Sequence, residues 1–276
     1  MDNYFVLIFT GIIVGALGTL IGAGGGFLLV PLLILTHHSL RPEIITAISI
    51  AIVAANAISG SIAYARAGRI DYKAGLVFAL FTIPGSILGV YTTQYIPKFE
   101  FKIFFGLMLI LLAFFLFLKK PQSKQKNIHE SRLKKWKHHT ITDKEGITYS
   151  YFYDQRKGIF ISIIVGYLSP LLGIGGGIIH VPALVQLLCF PVHIATATSH
   201  FILAIMSSVS VIVHAVKGNY NDMHVLRMVI GLSIGAVTGA QFGAYLSHKI
   251  KSNTIIRALA ICLGLVGLRL LAGIFF

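Results

Sequence analysis

Charge is scarce in this sequence of 276 residues, and negative charge above all. Only nine residues are Asp or Glu, and residues of both signs make up 12% of the chain, against about 25% in an ordinary soluble domain. So few charges cannot cover a surface that faces water. The composition therefore excludes a soluble globular protein.

Other absences narrow the functional class. The two cysteines, Cys189 and Cys262, stand in apolar segments without a CxxC motif, so neither a disulfide framework nor a thiol metal site is indicated. The sequence contains no HExxH and no pair of aspartates deep in an apolar segment, which argues against an enzyme. The N-terminal residues lack the basic region and cleavage site of a signal peptide, and we expect them to begin the first membrane helix.

Long apolar runs are what the sequence does contain. About 20 apolar residues are needed to cross the hydrocarbon core of a bilayer as a helix. The chain therefore predicts an all-α polytopic membrane protein, located in the cell membrane. The apolar runs cover residues 43–65, 74–96, 103–118, 158–182, 192–216, 225–247 and 255–275.

The net charge of +14 is unevenly distributed. Residues 119–157 hold almost half of the 23 Lys and Arg residues. No folded basic surface is evident, so nucleic acid is not an expected partner. Because positive charge collects on the cytoplasmic side of membrane proteins, we interpret residues 119–157 as a cytoplasmic linker, expected to be a solvated loop.

Glycines interrupt two of the apolar segments. The first, "LIGAGGGFLLVP", contains Gly22, Gly24, Gly25 and Gly26, and the second, "LGIGGGIIHVP", contains Gly173, Gly175, Gly176 and Gly177. Each glycine inside a helix costs about 1 kcal/mol relative to alanine. We therefore predict that each segment is two half-helices joined by a turn.

The two glycine segments belong to a longer internal similarity. With an offset of 151 residues Gly22 aligns with Gly173 and Pro31 with Pro182, and with an offset of 150 Ser49 aligns with Ser199. One register holds over about 80 residues. The sequence thus predicts two homologous membrane repeats, residues 1–118 and 158–276, on either side of the linker.

The glycine segments decide how the repeats are related. If each segment crosses the membrane once, each repeat has four crossings and the repeats are parallel. If each segment is a re-entrant hairpin, three transmembrane helices remain and the second repeat is inverted. The hairpin arrangement places residues 66–73, the linker and residues 248–257, all basic, on one side, which the positive-inside rule favours. Broken segments at matching positions of inverted repeats point to a transporter's binding site.

A glycine-tipped hairpin is suited to binding an anion. Half-helices that begin near the glycines direct free N–H groups and a positive dipole end toward the tip, and glycine lets a ligand approach the backbone. The alternative is that the glycines only allow close helix packing. The predicted substrate-binding glycines are Gly22, Gly24, Gly25, Gly26, Gly173, Gly175, Gly176 and Gly177.

The two segments carry a family resemblance. "GALGTLIGAGGGFLLVPLLI" and "GYLSPLLGIGGGIIHVPALV", on either side of a hydrophilic linker, resemble the sulfite exporter TauE/SafE family of membrane permeases. The resemblance covers nearly the whole chain outside the linker. It implies a secondary transporter, permease or exporter, of a small sulfur-containing anion such as sulfite, a sulfonate or thiosulfate.

Polar residues on the helix after each hairpin are candidates for lining the site. Hydroxyl and amide groups bind an oxyanion without a fixed charge, although Ser and Thr also join membrane helices to one another. In the first repeat Gly60 lies on the same face of the helix as these polar residues. The candidate ligands are Thr46, Ser49 and Asn56 in the first repeat and Thr196, Ser199 and His200 in the second.

His180 and His200 are the titratable residues that fall deep in apolar segments, where ionisable groups often mark proton paths. They are candidates for a relay of coupled protons, with neutral structural histidines as the alternative. No cofactor or metal ligand set is expected. A passive anion channel, and a metal-ion transporter because of the eleven histidines, are the alternative functions.

Overall fold

The computed structural model describes residues 3–37, 39–118, 136–250 and 252–275. Over these residues the chain is almost entirely helical, as the apolar runs predict. The first half contributes five helices, which are α1 Tyr4–Ile21, α2 Gly26–Thr36, α3 Pro42–Arg66, α4 Tyr72–Thr93 and α5 Lys98–Leu118.

The second half repeats this order after a short β-hairpin. Its first and third helices have 18 and 25 residues, the same lengths as α1 and α3. The elements are β1 Lys137–Thr142, β2 Thr148–Tyr153, α6 Gln155–Leu172, α7 Gly177–Gln186, α8 Val192–Val216, α9 Met223–Lys249 and α10 Ser252–Phe275.

Both predicted helix breaks are present. α1 ends before Gly22, which has a φ of 81°, and Gly25 has a φ of 86° directly before α2. α6 ends before Gly173, whose φ is 70°. Only glycine adopts these left-handed conformations without steric cost, so the glycines end the first helix of each pair where the sequence places them.

Five helices within the described residues are long and apolar enough to cross a membrane: α1, α3, α4, α8 and α9. α2 and α7 are apolar but short, at 11 and 10 residues. At 1.5 Å per residue they extend only about 15 Å, half of a bilayer core. The chain is thus a polytopic helical membrane protein.

The most extensive helix contacts each join a helix of the first half of the chain to a helix of the second half. The most extensive contact joins α1 to α9, and the next joins α4 to α6. α3 packs against α9, and α8 against α4. We call α1, α2, α3 and α9 the α1 unit, and α6, α7, α8 and α4 the α6 unit. The two units meet chiefly where α3 packs on α8.

Contacts between loops define the two ends of the bundle. At the hairpin end, which comprises residues 67–71, 137–153 and 187–191, Tyr151 contacts both Asp71 and Phe190. At the opposite end, which comprises residues 37, 39–43, 93–98 and 217–224, the rings of His37 and His224 lie 5.9 Å apart.

The described part of the linker, from residue 136 on, is not the solvated loop that we expected. Its second part forms the antiparallel hairpin β1–β2, with Lys137 opposite Tyr153 and Thr142 opposite Thr148. Tyr151 and Tyr153 are buried, so this hairpin is packed onto the helices. The chain is therefore not purely α-helical. The basic run at the start of the linker lies outside the described residues.

Candidate functional site

The two helix breaks lie against each other in the middle of the bundle. The start of α2 at Gly26 is pressed against the carbonyl oxygen of Gly173 and the backbone of Ile174. The start of α7 at Gly177 is pressed in the same way against the carbonyl oxygen of Gly22 and against Ala23. Each N-terminal helix end, which carries a partial positive charge, thus faces carbonyl oxygens of the other half.

Two serines reinforce this reciprocal contact. Ser49 Oγ on α3 donates a 2.6 Å hydrogen bond to the carbonyl oxygen of Gly173, and Ser199 Oγ on α8 lies 3.4 Å from the carbonyl oxygen of Gly22. Both serines are fully buried. Ser49 and Ser199 align with each other in the sequence. Each of them therefore contacts the helix break of the other half.

Thr46 and Thr196 also lie beside the two helix breaks, but their hydroxyl groups bond within their own helices. Thr46 Oγ1 donates to the carbonyl oxygen of Glu43, and Thr196 Oγ1 to that of Val192, both in their own helices. Their remaining atoms fill the space beside the glycines, because a Cβ at Gly173 would lie 3.1 Å from the Thr46 methyl group. In this conformation the two threonines pack against the breaks.

The glycine N–H groups that we predicted as anion donors fall into two sets, according to whether they already donate to a protein acceptor. The N–H groups of Gly22, Gly24 and Gly173 donate to the ends of α1 and α6, the longest of these bonds measuring 3.2 Å. Within the described part of the chain, a second set of amides has no protein acceptor. These free donors are the N–H groups of Gly25, Gly26, Gly175, Gly176 and Gly177.

Close packing around the glycines is also evident. A Cβ at Gly24 would meet Leu203 at 2.5 Å, and one at Gly175 would meet Val53 at 2.7 Å. A Cβ at Gly25 would lie 2.7 Å from the carbonyl oxygen of Val14. In this conformation the glycines are closely packed, as the packing interpretation expects.

A buried polar network joins the two units on the hairpin side of the breaks. Thr19 Oγ1 donates to Asn56 Oδ1 at 2.9 Å, and His200 Nε2 lies 3.2 Å from both oxygens. Because an amide oxygen only accepts, these contacts indicate that Nε2 carries the imidazole proton. Asn56 Nδ2 also donates to the carbonyl oxygen of Gly15 at 2.9 Å.

Two further residues extend the network toward the hairpin end. Tyr64 Oη donates to the carbonyl oxygen of Thr19 at 2.8 Å and lies 3.3 Å from Ser247 Oγ. The tyrosine ring also meets the His200 ring edge-on at 5.6 Å. The absence of a side chain at Gly60 makes room for His200, since a Cβ there would lie 2.9 Å from Nε2.

The network has no counterpart in the other half. The positions that align with Thr19, Asn56 and His200 are Pro170, Met206 and Ile50. Sequence analysis identified Asn56 and His200 but missed Thr19, Tyr64 and Ser247. Their sequence positions carry no distinguishing signal, because Ser and Thr are common in membrane helices and Tyr64 stands near a helix end.

His180 is separate from this network. It is buried on α7, where Nε2 lies 3.4 Å from Ser162 Oγ and Nδ1 has no partner within the described residues. No hydrogen bond between described residues joins it to His200. Among those same residues, no three His, Cys, Asp or Glu side chains are grouped as metal ligands would be.

Comparisons with known proteins identify the family of this chain. The sequence model described as "Sulfite exporter TauE/SafE" matches residues 7–270. The chain belongs to this family. No solved structure matches the chain.

Curated relatives of the TauE/SafE chain carry transporter names. It is 32% identical to the probable membrane transporter protein YunE of Bacillus subtilis, over 99% of both chains. It is 27% identical to the probable membrane transporter protein MJ0441 of Methanocaldococcus jannaschii, over 96% of this chain and 94% of the relative. A probable membrane transporter protein of Xylella fastidiosa is 23% identical, over 92% and 88%. Family and relatives thus indicate a membrane transporter rather than an enzyme.

Proposed function

We propose that this protein is a secondary transporter of small sulfur-containing anions, such as sulfite, sulfonates or thiosulfate. The anion binds between the two helix breaks, where α2 and α7 begin. The family's description supports the substrate class. The observation that carries the proposal is that two positive helix ends meet at one buried point, each covered by a carbonyl oxygen of the other half.

The proposed topology is a pair of inverted repeats with re-entrant breaks. Tyr151 contacts both Asp71 and Phe190, so the α3–α4 turn, the linker and the α7–α8 loop share one end. In parallel repeats of four crossings, the α3–α4 turn and the α7–α8 loop would lie on opposite faces. The short α2 and α7, about 15 Å each, also suit half-helices that return to their own side.

The proposed orientation follows from the position of the basic linker. Because Lys and Arg collect in the cytoplasm, the hairpin end faces the cytoplasm and the opposite end faces outward across the cell membrane. The polar network of Thr19, Asn56 and His200 then lies on the cytoplasmic side of the breaks.

Binding requires the anion to replace carbonyl oxygens. When the α1 and α6 units separate, the carbonyl groups that lie against Gly26 and Gly177 move away, and the N–H groups at these helix starts, which have no protein acceptor among the described residues, become accessible to the anion. A charge-assisted hydrogen bond contributes about 1.5–3 kcal/mol, and a helix end up to about 2 kcal/mol. Such a site offsets dehydration of a small anion and still releases it. The hydroxyls of Ser49 and Ser199, freed by the same movement, complete its shell, with Thr46 and Thr196 beside them.

Flux into proteoliposomes tests the proposal. The purified protein is given sulfite, thiosulfate, sulfonates, sulfate and acetate, with and without a pH gradient. We expect saturable uptake of one or more sulfur anions, and its loss in the Ser49→Ala/Ser199→Ala double variant. Ser208→Ala is the matched control, because among the described residues Ser208 Oγ bonds the carbonyl oxygen of Ala204 in its own helix and no group of another helix. Unitary currents would identify a channel instead, and absence of flux for every anion would contradict the proposal.

A further inference from the structure

The β-hairpin of the linker is attached to both packing units. Its turn contacts the α3–α4 turn, which follows Arg66, the last residue of α3 in the α1 unit. Its second strand contacts α4 and the α7–α8 loop, which belong to the α6 unit. These two sets of contacts differ in chemistry.

Ion pairs and a backbone bond hold the turn of the hairpin. Arg69 Nε donates to Asp143 Oδ2 at 3.0 Å, and its terminal nitrogen donates to Glu145 Oε2 at 3.1 Å. The side chains of Arg69 and Asp143 are 4% and 0% exposed. The Lys144 N–H donates to the carbonyl oxygen of Ala67 at 3.1 Å.

Asp71 connects the hairpin to the α6 unit. Its Oδ2 accepts a 2.6 Å hydrogen bond from Tyr151 Oη and lies 2.6 Å from His139 Nδ1. Its Oδ1 caps α4 by accepting from the Ala74 N–H, and its own N–H donates to Thr198 Oγ1 on α8. Burial and the Asp71 charge raise the pKa of the Tyr151 phenol, so the hydroxyl keeps the proton that it donates.

Aromatic rings complete the attachment to the α6 unit. The ring of Phe190, in the α7–α8 loop, lies 4.5 Å from that of Tyr151 and 5.1 Å from that of Tyr153. Tyr153 also meets Phe78 of α4 edge-on at 6.0 Å. The second strand of the hairpin is therefore packed on the α6 unit. Its polar turn instead binds the segment that follows α3 of the α1 unit.

We propose that the β-hairpin is a clasp that holds the hairpin end of the transporter closed, and that its turn must release Ala67 and Arg69 before the two units can separate there. The turn of residues 67–71 is the covalent connection between α3 of one unit and α4 of the other, and Ala67 and Arg69 are the residues that the hairpin turn binds, whereas Asp71 stays with the α6 unit. Separating the units at this end changes the shape of that turn and breaks the grip.

The contacts between the hairpin turn and the α3–α4 turn are polar, and this makes them reversible. Buried charges are costly without a partner, but Arg69 and Asp143 lie at an end of the bundle, where both become hydrated once the hairpin leaves. An apolar plug at the same place would remain exposed to water on opening. The clasp rests on the proposed alternation of the two units, and the experiment below separates the two ideas.

A disulfide between Ala67→Cys and Lys144→Cys tests the clasp, in a background with Cys189→Ala and Cys262→Ala. The main chains of Ala67 and Lys144 hydrogen-bond directly, so a disulfide or a short thiol cross-linker can join the two side chains. The reporter is Ala57→Cys, a fully buried position packed with Leu203 and Met206 between α3 and α8. A membrane-impermeant maleimide is added on the hairpin side of oriented vesicles.

Locking the clasp should slow labelling of the Ala57→Cys thiol about tenfold, equivalent to about 1.4 kcal/mol of opening free energy, and reductant should restore the rate. The matched control is Thr142→Cys/Thr148→Cys, which joins facing residues within the hairpin and should leave labelling unchanged. Equal labelling of locked and reduced protein would overturn the clasp. Wild-type protein that transports no anion while the lock still slows labelling would refute only the proposed function.

Discussion

The Oγ of Ser49 donates a 2.6 Å hydrogen bond to the carbonyl oxygen of Gly173, a residue 124 positions away in the sequence. Ser49 lies on α3 of the α1 unit, and Gly173 ends α6 of the α6 unit. The bond therefore crosses the surface along which we propose that the units separate. It also occupies a carbonyl group that covers the start of α2, so it helps to keep the proposed anion site closed.

The two serine contacts should contribute unequally to stability. We expect Ser49→Ala to lower the free energy of unfolding by about 1 kcal/mol, the usual contribution of a neutral hydrogen bond. Ser199→Ala should cost less, because its contact is 3.4 Å long. Denaturant unfolding of the purified protein in detergent measures both. Equal losses in the two variants would contradict the difference in geometry.

The polar network should depend on Asn56. Replacement by leucine, of similar size, leaves the Gly15 carbonyl oxygen and His200 Nε2 without this partner, and an unsatisfied buried polar group costs about 1–3 kcal/mol. We expect Asn56→Leu to lower the unfolding free energy by that amount and to reduce anion flux. Met206→Leu, at the aligned position, is the control and should cost less than about 1.5 kcal/mol. If the two variants are equally stable, the network does not hold the units together.

Corresponding glycines in the two breaks should tolerate alanine differently. Gly25 has a φ of 86°, whereas Gly176 has a φ of −49°. A left-handed alanine costs about 1–2 kcal/mol, and at Gly25 its Cβ also meets the Val14 carbonyl oxygen, whereas at Gly176 it meets the Val165 side chain. Gly25→Ala should therefore be the more destabilised variant, measured by thermal unfolding in detergent. The opposite order would show that the α2 break is not the strained one.

The clasp should loosen in acid. Burial raises the pKa of Asp143, but hydrogen bonds from the Ile147 N–H and from Arg69, together with the Arg69 charge, outweigh it and hold the pKa below its ordinary value of 3.8. A carboxyl group whose folded pKa is lowered contributes stability above its unfolded pKa and loses it as the pH falls through the folded value. The protection factors of the amides of residues 137–153, which are their exchange rates relative to the intrinsic rate at the same pH, should therefore fall below about pH 4.

Arg69→Gln is the matched test of that pH dependence. Without the guanidinium, the protection factors of residues 137–153 should already be low at neutral pH and should change less on acidification. Exchange that is slow in Arg69→Gln at neutral pH would show that the ion pair does not hold the hairpin.

Several predictions depended on local properties and are visible in the structure. The ends of α1 and α6 lie at Gly22 and Gly173, because backbone conformation at a glycine is a property of the residue itself. The apolar runs appear as helices, because hydropathy accumulates along a continuous segment. By contrast, the hairpin in the linker was missed, although Tyr149, Tyr151 and Tyr153 recur at the spacing of two that is typical of a strand. That the hairpin packs on the helices depends on Arg69 and Asp71, which come from elsewhere in the chain.

By itself, the sequence determined that this protein is helical, lies in a membrane and breaks two of its helices at glycines, because these properties follow from side-chain hydropathy and backbone freedom within short segments. Which break covers which helix start, which serine bonds which glycine, and the joining of Thr19, Asn56 and His200 were decided only by the tertiary structure. Those contacts depend on α1 packing against α9 and α3 against α8, across separations for which the sequence carries no distance information.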